Sequence, residues 1–175
     1  IALPGDTVRI ENRVVTVNGQ QADKPAHGKL LRPHSRPAGV RNPDIFPRGA
    51  RFNEDNYGPV VVPRKGMTIP LNTGNFDSLE VFIRREGHTA ANLGGRIFVD
   101  GRETGRYTVS RDYLFAMGDN RDNSLDSRYW GFVPVEDVIG TPVMAFWSWD
   151  SRIPLSRLGE RLRSIDLSRI GTLIR

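Results

Sequence analysis

Between Gly118 and Pro134 the chain reads GDNRDNSLDSRYWGFVP, and from Asp119 to Arg128 the only apolar side chain is Leu125. The stretch gathers carboxylates (Asp119, Asp122, Asp126), hydroxyls (Ser124, Ser127), carboxamides (Asn120, Asn123) and guanidiniums (Arg121, Arg128). Three chemistries are open to such a set. In the plainest, Asp and Asn bond their local backbone and build solvated turns. Arg121 and Arg128 then pair with Asp122 or Asp126 at the surface, where an ion pair contributes about 0–1 kcal/mol. In the second, the carboxylates bind a cation, but the D-x-D-x-D-G spacing and closing Glu of a calcium loop are missing and two arginines oppose a dication. In the third, the stretch supports a catalytic group. An extended Asp126-Ser127-Arg128 segment puts Asp126 and Arg128 on one face, with Ser124 on the same side, and a hydroxyl held by an ion-paired segment can orient a neighbour. Ser124 has no base of its own to become a nucleophile. His27, His34 and His88 lie in loop-like sequence without a triad pattern.

The elements around this polar knot read as strands. Val8 and Ile10 alternate with polar residues, Glu11-Asn12 can turn, and a second strand over 13–17 runs into Asn18-Gly19, a hairpin signal because its turn needs positive φ at both central residues. Residues 20–56 carry little pattern and many prolines, and predict long surface loops with mobile segments. PVVVP (59–63) predicts a short strand. LEVFIRREG (79–87) fits either a strand or part of a short helix. Asp100-Gly101 marks a hairpin within 96–109. Positions 142–149 predict a strand with Trp147 and Trp149 on one face, and the tail from Pro154 spaces its leucines for an amphipathic helix. The class this predicts is mainly β, built from antiparallel hairpins.

The bulk numbers agree. The chain has 175 residues, 18 Gly and 12 Pro, and no Cys, which favours a turn-rich β fold and excludes disulfides and thiolate metal sites. Its net charge of +5 comes almost wholly from arginine, the lysines being Lys24, Lys29 and Lys65. That surface suits polyanions such as anionic lipid, or is simply solubilising. No aromatic-basic interleaving or helix-turn-helix pattern marks a nucleic-acid binder. No run approaches the ~20 apolar residues of a membrane span. The first residues, IALPGDTVRI, lack Met and enter a strand at once, so the chain is expected to be a piece of something longer.

With these residues in view, GDNRDNSLDSRYWGFVP resembles the last signature box of bacterial type I signal peptidase, a serine endopeptidase that removes signal peptides from exported proteins. IALPGD resembles the segment that follows the family's catalytic lysine, and LSRIGTLI its closing segment. Residues 20–105 match only in character, as the variable insertion does.

The resemblance implies a signal-peptidase-type catalytic β-fold with a β-rich insertion domain: residues 1–8 and 109–175 in the core, 9–108 in the insertion. It implies a Ser nucleophile activated by a neutral Lys, with no metal and no cofactor. Ser124 matches the serine that orients the base lysine, Asp126 and Arg128 the ion pair beneath the site, and Gly118 and Asp119 the opening turn. The family's nucleophile and base both fall upstream of Ile1, so this chain alone is expected not to cleave. The implied partners are signal peptides of exported preproteins and membrane lipids, not nucleic acid. The implied place is the outer, periplasmic face of the bacterial cytoplasmic membrane, with Phe146, Trp147 and Trp149 as lipid contacts. A non-catalytic peptide-binding relative is the alternative.

Overall fold

The computed structural model describes residues 1–25, 28–140 and 143–173. His27, the Pro142 that opens the strand expected at 142–149, and Ile174 of the closing motif lie outside the described residues. The described residues group into two compact units, Ile1–Val138 and Ile139–Arg175.

In the first unit β1 (Thr7–Glu11) buries Val8 and Ile10 and exposes the residues between them, the alternation its sequence carries. It pairs antiparallel with β2 (Val14–Val17). The turn centres on Asn12 and Arg13, at φ 47° and 72°, one residue beyond the expected Glu11-Asn12. The Asn12 N–H donates to Asn56 Oδ1 at 3.1 Å and the Arg13 N–H to the Asp55 carbonyl at 2.9 Å. Those bonds hold both residues in the left-handed region, so β2 starts at Val14 rather than Arg13. Asn18-Gly19 makes the hairpin its sequence predicts, leading to β3 (Gln20–Gln21). On the far side of β1 lies β4 (Tyr57–Val61), giving the sheet order β3-β2-β1-β4. β4 begins two residues before the expected 59–63 because Tyr57 pairs with Ile10.

β5 (Thr68–Pro70) leads into α1 (Phe76–Arg85). The ambiguous 79–87 stretch is thus helical through Arg85, with Glu86 as the C-cap. Phe76, Leu79, Phe82 and Ile83 fall on one face and turn to the core, and Arg84 and Arg85 sit in the last turn, where the helix dipole favours cations. β6 (Ala90–Leu93), β7 (Arg96–Val99) and β8 (Arg102–Glu103) form a three-stranded sheet, with the expected turn at Asp100-Gly101 and a second at Gly94-Gly95. β9 (Arg106–Thr108) pairs with β5. β10 (Tyr113–Leu114) pairs with β11 (Val133–Pro134), and α2 (Ser127–Trp130) lies between them. Among the described residues strands outnumber helices, and the chain is mainly β.

Phe132, just past the polar knot, stands edge-on to Phe46, Phe82, Tyr113 and Phe115. Each such pair adds about 0.5–1.5 kcal/mol beyond burial. Beside this cluster Glu86 accepts hydrogen bonds from the hydroxyls of Tyr107 and Tyr113 and from the Ser110 N–H. Ala2 and Phe115 exchange backbone hydrogen bonds at 2.9 and 3.0 Å. That pairing lays the IALPGD segment beside the start of the knot.

The expected surface loops of 20–56 hold little regular structure, yet Ile45, Asn53, Glu54 and Asp55 are buried. Asn53 explains how a polar loop can be so enclosed. Its carboxamide donates to the Pro37 and Val40 carbonyls and accepts from the Asp55 and Asn56 N–H groups, so backbone groups taken out of water keep partners.

In the second unit β12 (Met144–Ala145) pairs with β13 (Thr172–Leu173). Among the described residues of the strand expected over 142–149, only those two are in a strand. A 3₁₀ turn at Leu155–Arg157 leads into α3 (Leu158–Arg163), the helix that the leucine spacing predicts.

Candidate active site

The knot is organised by a helix cap. Asp126 has extended backbone (φ −124°, ψ −165°), and α2 starts at the next residue. Its Oδ1 accepts the Arg128 N–H at 3.1 Å, and the Arg128 side chain folds back to donate Nε to Oδ1 at 2.9 Å and Nη2 to Oδ2 at 2.8 Å. The expected pairing of Asp126 with Arg128 is present, but the expected extended segment is not: the cap turn brings the two together, not a shared strand face. Nor is the pair a surface one. Asp126 is 4% and Arg128 2% exposed, and the spare guanidinium donors reach the carbonyls of Glu54 (3.3 Å) and Arg121 (2.7 Å). A buried pair with its remaining donors satisfied is rigid, and removal of one partner strands the other.

This pair holds the opening turn. Asp126 Oδ2 accepts the Gly118 N–H at 3.0 Å. Ser127 ties the preceding strand down, accepting the Ala116 N–H on Oγ and donating its own N–H to the Ala116 carbonyl. Gly118 in turn abuts Ser124: a Cβ on Gly118 would lie 2.2 Å from Ser124 Oγ, so only glycine permits this approach. The structure therefore joins Gly118, Ser124, Asp126 and Arg128. Asp119 enters through its carbonyl, which accepts the N–H groups of Lys29 and Arg121, while Asp119 itself is exposed.

Sequence reasoning missed the outer half of the site. The Asp122 carboxylate binds the Leu31 and Arg32 N–H groups and the Arg32 guanidinium. Burial pushes this carboxyl up, but its bonds to Arg32 and Leu31 outweigh burial and leave it below the usual carboxylate range. Asp55 pairs with Arg13 and Arg32. Glu54 accepts from Asn42 and from the Tyr129 hydroxyl, and burial followed by the Glu54 charge pushes that phenol up to about 12. The available signal was the acidic pair Glu54-Asp55, isolated in a basic loop.

Burial, then the Arg128 charge, pulls the Arg121 guanidinium below its ordinary value. Arg121 Nη1 reaches Met117 Sδ at 3.6 Å. It edges a cavity of about 200 Å³ that Ile1, Ala2, Val17, Met117 and Asp119 also line, next to the Gly118–Ser124 contact in sequence. Among the described residues no cluster of three or more His, Cys, Asp or Glu side chains could hold a metal ion.

The expected lipid-facing residues lie in the second unit. Trp147 and Trp149 meet edge to face at 6.0 Å, the Arg161 guanidinium lies 4.1 Å over the Trp149 ring, and Phe146 is 79% exposed.

Residues 1–147 match the family described as signal peptidase, peptidase S26. Among individual proteins, the chain is 33% identical over 126 residues to a signal peptidase I of Leptolyngbya laminosa, a match covering 62% of this chain and 58% of that protein. It is 45% identical over 60 residues to a signal peptidase I of Buchnera aphidicola subsp. Schizaphis graminum, covering 30% of this chain and 19% of that one. It is 32% identical over 89 residues to the chloroplastic thylakoidal processing peptidase 1 of Arabidopsis thaliana, covering 41% and 26%. The chain thus spans little more than half the length of the Leptolyngbya laminosa relative and less of the others.

Proposed function

The chain belongs to the signal peptidase S26 family, and from that premise we propose that it is the C-terminal part of a signal peptidase I, removing signal peptides from exported preproteins by a Ser/Lys mechanism. The observation that carries this reading is the contact of Gly118 with Ser124 above the buried Asp126–Arg128 pair. A general-base lysine must be neutral near physiological pH, so it must be desolvated, and a neutral amine must be aimed at the hydroxyl it deprotonates. Ser124 is the group that aims it. Its own place is set by Gly118, and Gly118's by Asp126 and Arg128. Asp119 completes the turn. In this reading a Ser nucleophile and a neutral Lys base carry out the cleavage, and Ser124 is neither of them. Residues 1–8 and 109–175 form the core of the enzyme and 9–108 its insertion, and no cofactor takes part.

The partners in this reading are signal peptides and membrane lipid, with no role for nucleic acid. The enzyme sits on the outer face of the bacterial cytoplasmic membrane. No helix among the described residues is long and apolar enough to cross a bilayer. In this reading Phe146, Trp147 and Trp149, whose rings suit the interface, meet the lipid, with Arg152, Arg157, Arg161 and Arg163 toward anionic head groups.

The test compares this chain with the same chain extended N-terminally to its natural sequence, on a preprotein with an Ala-X-Ala site in detergent. Cleavage by the extended form alone, slowed by Ser124→Ala, is the expected result. If neither cleaves, the enzymatic reading is wrong, and the protein is a peptide-binding relative without catalysis.

A further inference from the structure

The segment 29–32 runs along the outer side of the knot. Its backbone alternates bonds with it: the Lys29 N–H donates to the Asp119 carbonyl at 2.8 Å and the Arg121 N–H to the Lys29 carbonyl at 3.0 Å. Asp122 then replaces backbone with side chain. One of its oxygens accepts the Leu31 and Arg32 N–H groups at 2.6 and 2.8 Å, and the other accepts Arg32 Nε and Nη2 at 2.9 and 2.7 Å. Its side chain is 3% exposed. Behind it Asp55 lies 3.2 Å from Arg32 Nη2 and 3.3 Å from Arg13 Nε, while Arg13 Nη2 stands 4.0 Å from Asp122. Asp55 also accepts the Arg36 N–H at 2.7 Å. Two carboxylates and two guanidiniums therefore alternate, with Glu54 and Arg36 at the edge and Arg121 on the adjoining stretch of the knot.

Ser124 is two residues from Asp122, at the end of a turn closed by the Asn123 N–H on the Asn120 carbonyl. On the inner side, Asp126 and Arg128 fix Gly118 and the Arg121 carbonyl. On the outer side the strongest hold is the Asp122 carboxylate. The geometry points to Asp122 and Arg32 as positioning residues for Ser124, so that the loop 29–36 is part of the active site's framework rather than an appendage. This rests on the reading that Ser124 aims the base lysine. The two residues act through Ser124, and neither touches substrate.

The experiment uses the full-length protein, with cleavage of an Ala-X-Ala preprotein followed across pH for wild type, Asp122→Asn, Arg32→Gln and Ser124→Ala, singly and paired. Loss of alignment in an active site lowers kcat by about tenfold to a hundredfold, and KM should stay within twofold. The pH profile separates position from charge. Removal of a negative charge by Asp122→Asn and of a positive one by Arg32→Gln would move a lysine's titration in opposite directions through space. A positioning role moves the kcat profile the same way in both, the way Ser124→Ala moves it, and in the Ser124→Ala background Asp122→Asn adds nothing. Opposite shifts, full additivity with Ser124→Ala, or unchanged kcat would overturn the inference. Should Asp122→Asn fail to fold, Arg32→Lys serves: it keeps the charge, loses the fork, and should show the same kcat loss. A wild type that does not cleave overturns the functional reading and this inference with it, whereas a wild type that cleaves beside indifferent variants overturns this inference alone.

Discussion

A methyl group on Gly118 would stand 2.2 Å from the Oγ of Ser124 and 2.8 Å from its Cβ. Neither atom is the far end of a long side chain, so Ser124 itself must move. Gly118→Ala in the full-length protein should therefore lower kcat by about tenfold or more, by analogy with other misplacements of catalytic groups. In this chain the same substitution should cost about 1–3 kcal/mol of stability as an overpacking strain. Preprotein cleavage and urea titration measure the two effects. Full activity with an ordered alanine would remove Ser124 from the site.

The Asp126–Arg128 pair makes a second test. Arg128→Met leaves a buried carboxylate without its partner and should destabilise the chain by about 3–5 kcal/mol. The double variant Asp126→Asn/Arg128→Met should lose less than the arginine variant alone, because no charge is stranded. Thermal unfolding of the single and double variants decides it, and equal losses would mean that the pair is not what holds the cap.

Glu86 sets an acid limb on stability. Burial pushes its carboxyl up, but the hydroxyls of Tyr107 and Tyr113 and the Ser110 amide outweigh burial, so it rests below its ordinary value. A depressed carboxyl stabilises the fold above its unfolded pKa, and that contribution fades as pH falls through the folded pKa. The two phenols, raised first by burial and then by Glu86, act at the opposite end: they favour the fold below about pH 10 and lose ground as pH rises beyond it. Glu86→Gln should flatten the acid limb of a stability–pH curve measured in urea. An unchanged slope between pH 5 and pH 2 would show that Glu86 takes no part in it.

The tryptophan pair of the second unit should report on lipid. Vesicles containing phosphatidylglycerol should shift the Trp147/Trp149 emission to the blue, and salt should weaken the effect because arginine supplies part of the attraction. Trp147→Ala with Trp149→Ala should abolish co-sedimentation. If neutral phosphatidylcholine binds equally well in high salt, the arginines play no role.

Legibility followed the range of the interactions. Hairpins at Asn18-Gly19 and Asp100-Gly101 could be read because positive φ is a local demand that these residues meet. Residues 79–87 stayed ambiguous because a short apolar pattern fits both periods, and only the core that receives Phe82 and Ile83 decides. Asp126 and Arg128 were legible as a pair, since only Ser127 separates them, but not as a cap turned into a helix. The Asp122, Arg32, Arg13 and Asp55 network was out of reach: in sequence Asp122 looks like Asp119, yet one is enclosed by a distant loop and the other is left exposed.

That distance governs the order in which the site can come together. Arg32 and Asp122 are 90 positions apart, Glu54 and Tyr129 are 75 apart, and Ala2 waits for Phe115. Closing loops of such length costs entropy before any contact repays it, and contacts of this kind slow folding and form late. A growing polypeptide that has not yet reached Arg128 can pair Asp55 with Arg13 and Arg32, but it lacks the Asp126–Arg128 pair that closes the knot. The seat for Ser124 therefore requires the chain through Arg128 to meet loops from its first third, around Arg32 and Glu54.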